Sequence, residues 1–319
     1  MTARTRETVV VSRRRPSRSG LERFNRVPAP INILFSLIFI FLALAAVIPL
    51  VFVIIISLSS DQSVQMYGYR FIPKGWTTGA YTYLWMLRDY VGRAFLVSVG
   101  TTIVGTILGI FLNATLGYVI SRRTYALRGF FTILIFIPML FSGGLVASYM
   151  VNTQLLGLGN TYWALILPLT TSSFFIIILR TFFQTTIPDE IIESARIDGA
   201  SQFLIFFRIV LPLSLPAVAT IGLFLSFSYW NSWFPALLYI QSTHAHMYPL
   251  QYVLMSIERT IQELVRNAQF MLPAEAFAAL PTEAVRMAIV VVVVLPIALS
   301  YPYFQRYFIT GLTIGAVKG

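Results

Sequence analysis

The segment TTIPDEIIESARIDGASQFLIFFRIVLPLSLP, from Thr185 to Pro216, stands between two apolar stretches and differs from both in its charge. Thr186 can cap a helix, and Pro188 suits a first helical turn. Acidic residues placed directly after them favour the positive end of a helix dipole. The segment therefore predicts a helix of about nine residues, or about 14 Å, which is too short to cross a membrane.

This short helix is predicted to be amphipathic, because its apolar and charged residues fall on different faces. The apolar positions are Ile187, Ile191 and Ala195, and the charged positions are Glu190, Glu193 and Arg196. Gly199 then permits a sharp reversal of the chain, after which Ser201 can cap a second short helix. That helix carries Phe203, Phe206 and Phe207. We expect a compact helical elbow over residues 185–208, although an amphipathic hairpin lying on its own bundle fits the same pattern.

Outside the elbow the chain is dominated by apolar residues. Of its 319 residues 57% are hydrophobic and 11% are charged, against about 25% charged in a soluble domain. Apolar stretches long enough to cross about 30 Å of hydrocarbon occur six times. They are Ile31–Ile56, Ala94–Ile120, Gly129–Val151, Tyr162–Leu179, Ile209–Trp233 and Met287–Phe304. We therefore predict an all-α membrane protein with six transmembrane helices.

The basic residues predict the orientation of these spans, since Lys and Arg near span ends are retained in the cytoplasm. Of the 23 basic residues, sixteen lie on the side that holds the N-terminus and seven on the other. Eight of the sixteen belong to an N-terminal arm, residues 1–30, and the span after it is too long for a cleavable signal peptide. We expect a transmembrane domain over residues 31–304, a tail over residues 305–319, and both termini in the cytoplasm.

Within the elbow, the triplet Glu193-Ser194-Ala195 is followed after three residues by Gly199 and after nine more by the tetrapeptide IVLP. This order and spacing resemble the "EAA" signature of ABC importer permeases, with Ser194 as the sole departure in the opening triplet. The resemblance implies a coupling helix that docks into a cleft of a separate ATPase subunit. The residues that it assigns to this docking are Glu193, Ser194, Ala195, Asp198, Gly199, Ala200 and Pro212.

Three further stretches resemble the carbohydrate branch of that family, the maltose-importer group. They are WNSWFPALLY from Trp230, PYFQRYFITGLTIGAVKG at the C-terminus, and the region from Tyr81 through Arg123. The likeness implies the six-span ABC importer permease fold in the bacterial cytoplasmic membrane. It also implies a second homologous permease, two ATPase subunits, an extracytoplasmic solute-binding protein and an oligosaccharide substrate. ATP and Mg are then expected on the partner ATPase, with no cofactor in this chain.

A sugar path needs aromatic faces and hydrogen-bonding amides near the middle of the membrane. Residues with these groups lie together at the end of the fifth predicted span, and they are Tyr229, Trp230, Asn231 and Trp233. They are our candidates for the substrate path. The same residues fit an interfacial aromatic belt, and in some relatives the other permease carries the sugar contacts, so both interpretations stay open.

Motifs that the chain lacks exclude several kinds of enzyme. It has no G-x-x-x-x-G-K-[ST] loop, and its two lysines, Lys74 and Lys318, leave no room for one, so we expect no ATP hydrolysis by this chain. It has no cysteine. His244 and His246 are too few ligands for a zinc site, and we expect no metal. The net charge of +11 is explained by the Lys and Arg residues near span ends, which set the orientation of the spans. We therefore expect no nucleic-acid partner.

Two transport mechanisms that do not use ATP are the alternatives. A proton-driven secondary transporter usually needs an ionisable residue inside its bundle, and the six predicted spans contain none. A channel can be lined by Asn, Ser and Thr, but it leaves the elbow unexplained. We therefore predict the permease subunit of an ATP-driven importer.

Overall fold

The computed structural model describes residues 28–271 and 283–316, and this part of the chain is built from helices. Its β structure amounts to one isolated bridge between Ser59 and Trp76. The predicted all-α class is confirmed. In chain order the helices are α1 (Ala29–Ser57), α2 (Asp61–Tyr67), α3 (Gly79–Met86), α4 (Arg88–Ser121), α5 (Arg128–Leu140), α6 (Gly144–Met150), α7 (Trp163–Thr170), α8 (Ser173–Thr186), α9 (Asp189–Ile197), α10 (Gln202–Ile205), α11 (Leu211–Leu213), α12 (Leu215–Trp230), α13 (Phe234–Tyr239), α14 (Leu250–Met271) and α15 (Glu283–Ala316).

The chain forms two compact units, residues 1–52 and residues 53–319. The described part of the first unit is most of α1, a helix without a charged residue, whose side chains are exposed from residue 31 to residue 50. A helix that is apolar on every face is typical of a membrane span. The predicted arm falls largely on residues 1–27, which lie outside the described residues.

In the second unit, α4 packs against α7, α8 and α12. Three glycines of α4, at positions 105, 109 and 117, allow this close contact because their spacing in multiples of four places them on one face of the helix. A Cβ atom at Gly117 would lie 3.0 Å from the Cβ of Leu179, and one at Gly105 would overlap the ring of Tyr229. Small residues at such spacing let membrane helices approach closely, so that backbone and side chains gain van der Waals contact.

The fourth predicted span, Tyr162–Leu179, is a pair of helices, α7 and α8, which meet at an angle of 47°. The buried side chain of Asn113 supports the break between them. Its Nδ2 donates to Thr170 O at 2.7 Å, and its Oδ1 accepts from Ser172 N at 3.0 Å. A broken helix is tolerated inside a membrane where neighbouring groups satisfy the freed backbone in this way.

The third and fifth predicted spans are also bent. α5 and the helix Gly144–Leu155, which ends in a π-helical turn, meet at 119°, and the helix Gln202–Leu213 meets α12 at 83°. We expected the fifth span to begin at Ile209, whereas the helix that runs to Trp230 begins at Leu215, after the bend. Pro212 and Pro216 lack the N–H that would continue the helical ladder, which explains a break between them.

Counting by length and composition, α1 and α4 are each able to cross a membrane, and the three bent pairs reach that length together, among the residues described. The sixth predicted span, Met287–Phe304, lies inside α15, a single helix of 34 residues. That helix continues through Ala316, so most of the predicted tail is helical. Residues 317–319 lie outside the described residues.

The orientation of the spans predicts two long outer segments, residues 57–93 and about 234–286, and their described parts contain helices that the sequence did not reveal. α14 buries one face, formed by Leu250, Val253, Leu254, Ile257 and Ile261, against the start of α15. The first N–H of α14, at Leu250, donates to the buried Ser98 Oγ of α4 at 2.8 Å. This cluster lies at the Arg88 end of α4, whereas the elbow lies at its Ser121 end.

Candidate functional site

The first elbow helix is α9, nine residues from Asp189 to Ile197, as predicted in length. The predicted cap was wrong, because Thr186 is the last residue of α8. Pro188, with φ −59° and ψ 141°, takes the position before the helix instead. The helix start is therefore stabilised by the fixed φ of proline and by Asp189 and Glu190 in the first turn.

The reversal after α9 forms as predicted at Gly199, which has a φ of +81°. Its N–H donates to Arg196 O at 3.0 Å, and the next N–H, of Ala200, donates to Ala195 O at 2.9 Å. These bonds satisfy the last carbonyls of the helix. Ser201 caps the second helix, as predicted, because its side chain accepts from Leu204 N at 3.3 Å.

The elbow packs on the bundle through a single apolar cluster. Its buried members here are Ile187, Ile192, Ile205, Phe206 and Val210, with Ala195 and Ala200 half-buried beside them. The predicted apolar face was wrong in one position, because Ile191 is exposed and its neighbour Ile192 is buried. The same cluster continues to Tyr118 of α4 and Tyr229 of α12, so the elbow and two spans share one core.

Arg122, directly after α4, holds the beginning of the elbow. Its side chain is buried, at 7% exposed, and each of its three guanidinium nitrogens donates one hydrogen bond. Nη1 donates to Asp189 Oδ1 at 3.1 Å, Nη2 donates to Phe183 O at 3.2 Å, and Nε donates to Ser121 Oγ at 3.0 Å. The guanidinium carbon also lies 5.2 Å from the centre of the Tyr118 ring. One buried cation thus ties α4, the end of α8 and the first residue of α9 together.

The sequence did not identify this contact. Arg122 was counted as a topology signal, and Asp189 was assigned to the helix dipole. The two residues lie 67 positions apart, and a single sequence carries no signal for a pairing over that distance.

The outward face of the elbow combines charge with exposed apolar side chains. Glu193, Ser194, Asp198 and Gly199 are exposed. Among the described residues, the carboxylates of Glu193 and Asp198 form no ion pair. Beside them Ile197 is 87% exposed and Phe203 is 78% exposed. Apolar side chains grouped with unpaired charges on a rigid base are typical of a protein-binding surface.

Pro212 lies away from this face, in α11. The turn before it, Phe206–Val210, is a π-helix, and the axis then bends at Ser214. Ser214 N donates to both Val210 O and Leu211 O, at 3.0 and 3.1 Å. Pro212 is exposed and is placed to set the angle between the elbow and α12.

The four candidates for the substrate path do not face one cavity. Tyr229 is 2% exposed, its hydroxyl donates to Ile166 O at 2.8 Å, and its ring fills the space beside Gly105. Trp230 is 8% exposed and donates from Nε1 to Val293 O at 3.2 Å. Tyr229 packs the interior between helices, whereas Trp230 also lines a separate, mainly apolar cavity of about 390 Å³ with Thr102, Thr106 and Ser226.

Asn231 and Trp233 line a common cavity of about 460 Å³ between α6, α7, α12 and α13. Its polar and aromatic lining consists of Ser148, Asn152, Ser228, Asn231, Ser232, Trp233, Phe234 and Tyr239. Asn152 Nδ2 donates to the Tyr239 hydroxyl at 3.3 Å, and Gln251 Nε2 donates to Asn231 Oδ1 at 3.2 Å. Amides beside aromatic rings in a cavity of this size suit a sugar.

His244 and His246 lie in the 3-10 turn Ser242–Met247, and the centres of their rings are 6.0 Å apart. Within the described residues no three His, Cys, Asp or Glu side chains group as metal ligands would. Burial, and next the neighbouring Tyr252, raise the pKa of Tyr248 to about 12. This phenol therefore stays neutral beside the turn.

Comparison with known proteins gives three findings. The family model described as binding-protein-dependent transport system inner membrane component matches residues 101–314. The chain is similar to the polygalacturonan/rhamnogalacturonan transport system permease protein YtcP of Bacillus subtilis (38% identity, 87% of this chain, 94% of that protein). It is also similar to the arabinooligosaccharides transport system permease protein AraQ of Halalkalibacterium halodurans (27% identity, 88% of this chain, 94% of that protein).

A solved structure has the same fold. It is the crystal structure of a bacterial ABC transporter involved in the import of the acidic polysaccharide alginate, and one of its chains matches 92% of this chain over 100% of its own length. The TM-score is 0.73 at 26% identity.

Proposed function

The chain belongs to the family of binding-protein-dependent transport system inner membrane components, and we propose that it lines half of the translocation path of an ATP-driven oligosaccharide importer. Family membership implies a solute-binding protein and an ATPase as partners. The names of the relatives and of the solved importer agree on oligosaccharides or polysaccharides as cargo. On this proposal the chain is a transport subunit and not itself an enzyme.

The elbow is the observation that carries the proposal. It presents Glu193 and Ile197 of α9 and Phe203 of α10 to solvent, while the other side of the elbow is fixed by the apolar cluster and by Arg122. A surface of this kind can transmit a push from a partner without melting. A channel or a secondary transporter has no use for it, and the comparisons do not favour either alternative.

One permease offers one elbow, whereas nucleotide-binding subunits work as a pair with two clefts. We therefore propose a complex of two homologous permeases, two ATPases and an external binding protein. ATP and Mg bind to the ATPases, since this chain has no phosphate-binding loop. Closure of the ATPase pair moves the two elbows toward each other and opens the translocation path to the outer side of the membrane.

The cavity beside Asn231 and Trp233 is the proposed sugar contact of this chain. Trp233 offers a ring face, and Asn152 and Asn231 offer amide groups to sugar hydroxyls. Tyr229 and Trp230 do not line this cavity.

The proposed orientation places the elbow and both termini in the cytoplasm, as the distribution of basic residues predicts. Arg180 lies near the middle of α8, six residues before its last residue, Thr186, and its Nε is buried without a hydrogen-bond partner in the described part of the chain. Our predicted fourth span ended one residue earlier, at Leu179. A position at the cytoplasmic end of a span suits an arginine that reaches toward the interface.

Co-purification of the cognate ATPase with elbow variants tests the proposal. Ile197→Ser and Phe203→Ser each remove an apolar contact worth about 1.5–3 kcal/mol if a partner buries it, so each lowers ATPase recovery about tenfold or more. Ile72→Ser, at a position 82% exposed in the segment predicted to lie outside, is the matched control. If all three variants recover the ATPase equally, the elbow is not its docking surface.

A further inference from the structure

A second cavity, whose walls are mainly apolar, lies near the Arg88 end of α4. Its Arg93 lies about 43 Å along that helix from Arg122. The volume of the cavity is about 620 Å³. The walls are formed by one stripe of α4, including Gly100 and Val104, and by Ile166 of α7. Four polar side chains complete the lining, those of Arg93, Thr101, Tyr162 and His246. The Thr101 hydroxyl donates within its own helix, to Val97 O at 2.9 Å.

Arg93 has no counter-charge in the described part of the chain. The nearest carboxylate in sequence, Asp89, lies 4.0 Å from Arg88 instead. A guanidinium that structural contacts do not use retains its full set of donors for a ligand. Its planar fork matches a carboxylate, which it binds through two parallel hydrogen bonds.

The other groups of the cavity fit the remainder of a sugar acid. A phenol at Tyr162 and an imidazole at His246 each exchange hydrogen bonds with hydroxyls, and the apolar stripe offers a surface for C–H groups. Helix α7 separates this cavity from the one at Asn231, because Ile166 lines the first and Pro168 lines the second. The two cavities therefore lie on two sides of one short helix.

We infer that the Arg93 cavity is a subsite for a carboxylated sugar ring, in which Arg93 binds the carboxylate, and that the cargo of the importer includes acidic oligosaccharides. This inference rests on the proposed function, which supplies the path by which a sugar reaches the Arg93 cavity. It adds a charge requirement that the cavity at Asn231 and Trp233 does not supply.

The test uses the assembled complex in lipid nanodiscs and measures modification of arginines by phenylglyoxal, read peptide by peptide by mass spectrometry. The probes are digalacturonate and its dimethyl ester, which match in size and differ in charge. We expect digalacturonate to slow modification of Arg93 about tenfold, as a charge-assisted contact of about 1.4 kcal/mol gives. The ester should leave Arg93 reactive, and Arg88 should react equally under every condition.

Uptake by proteoliposomes provides the second measurement. Arg93→Gln should lower digalacturonate uptake about tenfold and leave uptake of the ester within about twofold, whereas Arg93→Lys should restore part of it and Arg88→Gln should change neither. The inference is overturned if Arg93 is unreactive in the complex, if anionic lipid alone protects it, or if both probes protect it equally. Protection of Arg93 by digalacturonate in a complex that takes up no oligosaccharide would instead overturn the proposed function and leave the subsite standing.

Discussion

Replacing Arg122 by methionine tests how the elbow is held. Met keeps most of the apolar stem and removes the hydrogen bonds to Asp189 Oδ1 and Phe183 O. Hydrogen bonds that involve a charged group contribute about 1.5–3 kcal/mol each. The Arg122 side chain is 9% exposed but that of Asp189 is 58% exposed, so solvent screens part of the pair, and we expect a total cost of about 3 kcal/mol.

A cost of about 3 kcal/mol shifts the equilibrium between a seated and an unseated elbow by roughly 100-fold. An unseated elbow still meets the ATPase but no longer moves α4 and α8 with it. We therefore expect Arg122→Met to hydrolyse ATP in proteoliposomes while uptake per ATP falls several-fold. Asp189→Asn keeps an acceptor oxygen and should cost at most about 1 kcal/mol.

Arg123→Met is the matched control, because Arg123 is the adjacent arginine and is exposed, and no described residue forms an ion pair with it. The Arg123→Met variant should give the same uptake per ATP as the unmodified permease. The account of the elbow is wrong if the Arg122 and Arg123 variants insert normally and give the same uptake per ATP.

The other predictions concern the bundle and the path. Asn113→Leu leaves Thr170 O and Ser172 N unpaired, so the free energy of unfolding in detergent should fall by about 2–4 kcal/mol, measured by thermal denaturation; an unchanged midpoint would argue against the supported break. Gly105→Ala forces the Tyr229 ring to move and should destabilise by about 1–3 kcal/mol, whereas Gly92→Ala, which has no atom within 4 Å of its Cβ, should not. Trp233→Ala should lower oligosaccharide uptake roughly five- to tenfold without loss of ATPase binding, since a lost sugar contact is worth about 1–1.4 kcal/mol; normal uptake would move the sugar contact elsewhere.

The elbow was predictable because its structure is determined locally. A proline and two acids begin α9, a glycine with positive φ ends it, and Ser201 caps the next helix three residues from its partner N–H. Each of these signals acts within one helical turn, so the local sequence contains all the information that forms the elbow. Two details were wrong: Thr186 ends α8 instead of capping α9, and Ile191, which the helical period placed on the buried face, is exposed while Ile192 is buried.

The bends and the cavity depended on distant residues. The break after Thr170 is stabilised by Asn113, which is 57 residues away, and hydropathy alone draws a straight span across it. In the same way, Tyr229 and Trp230 are residue types expected in a sugar site. However, Gly105 has no side chain, and the ring of Tyr229 fills the space that this leaves in the interior. Asn231 and Trp233, beyond the end of the buried helix face, remained available to line a cavity.

The most direct test of the central claim is uptake by proteoliposomes that contain this permease, its partner permease and the two ATPases, with the binding protein outside and ATP inside. The account predicts that labelled oligosaccharide accumulates only when both ATP and the binding protein are present. It also predicts that Gly199→Leu, which forces a side chain into a φ of +81°, abolishes accumulation while the complex still inserts. Accumulation without the ATPases, or at a normal rate in the Gly199→Leu variant, would contradict the account.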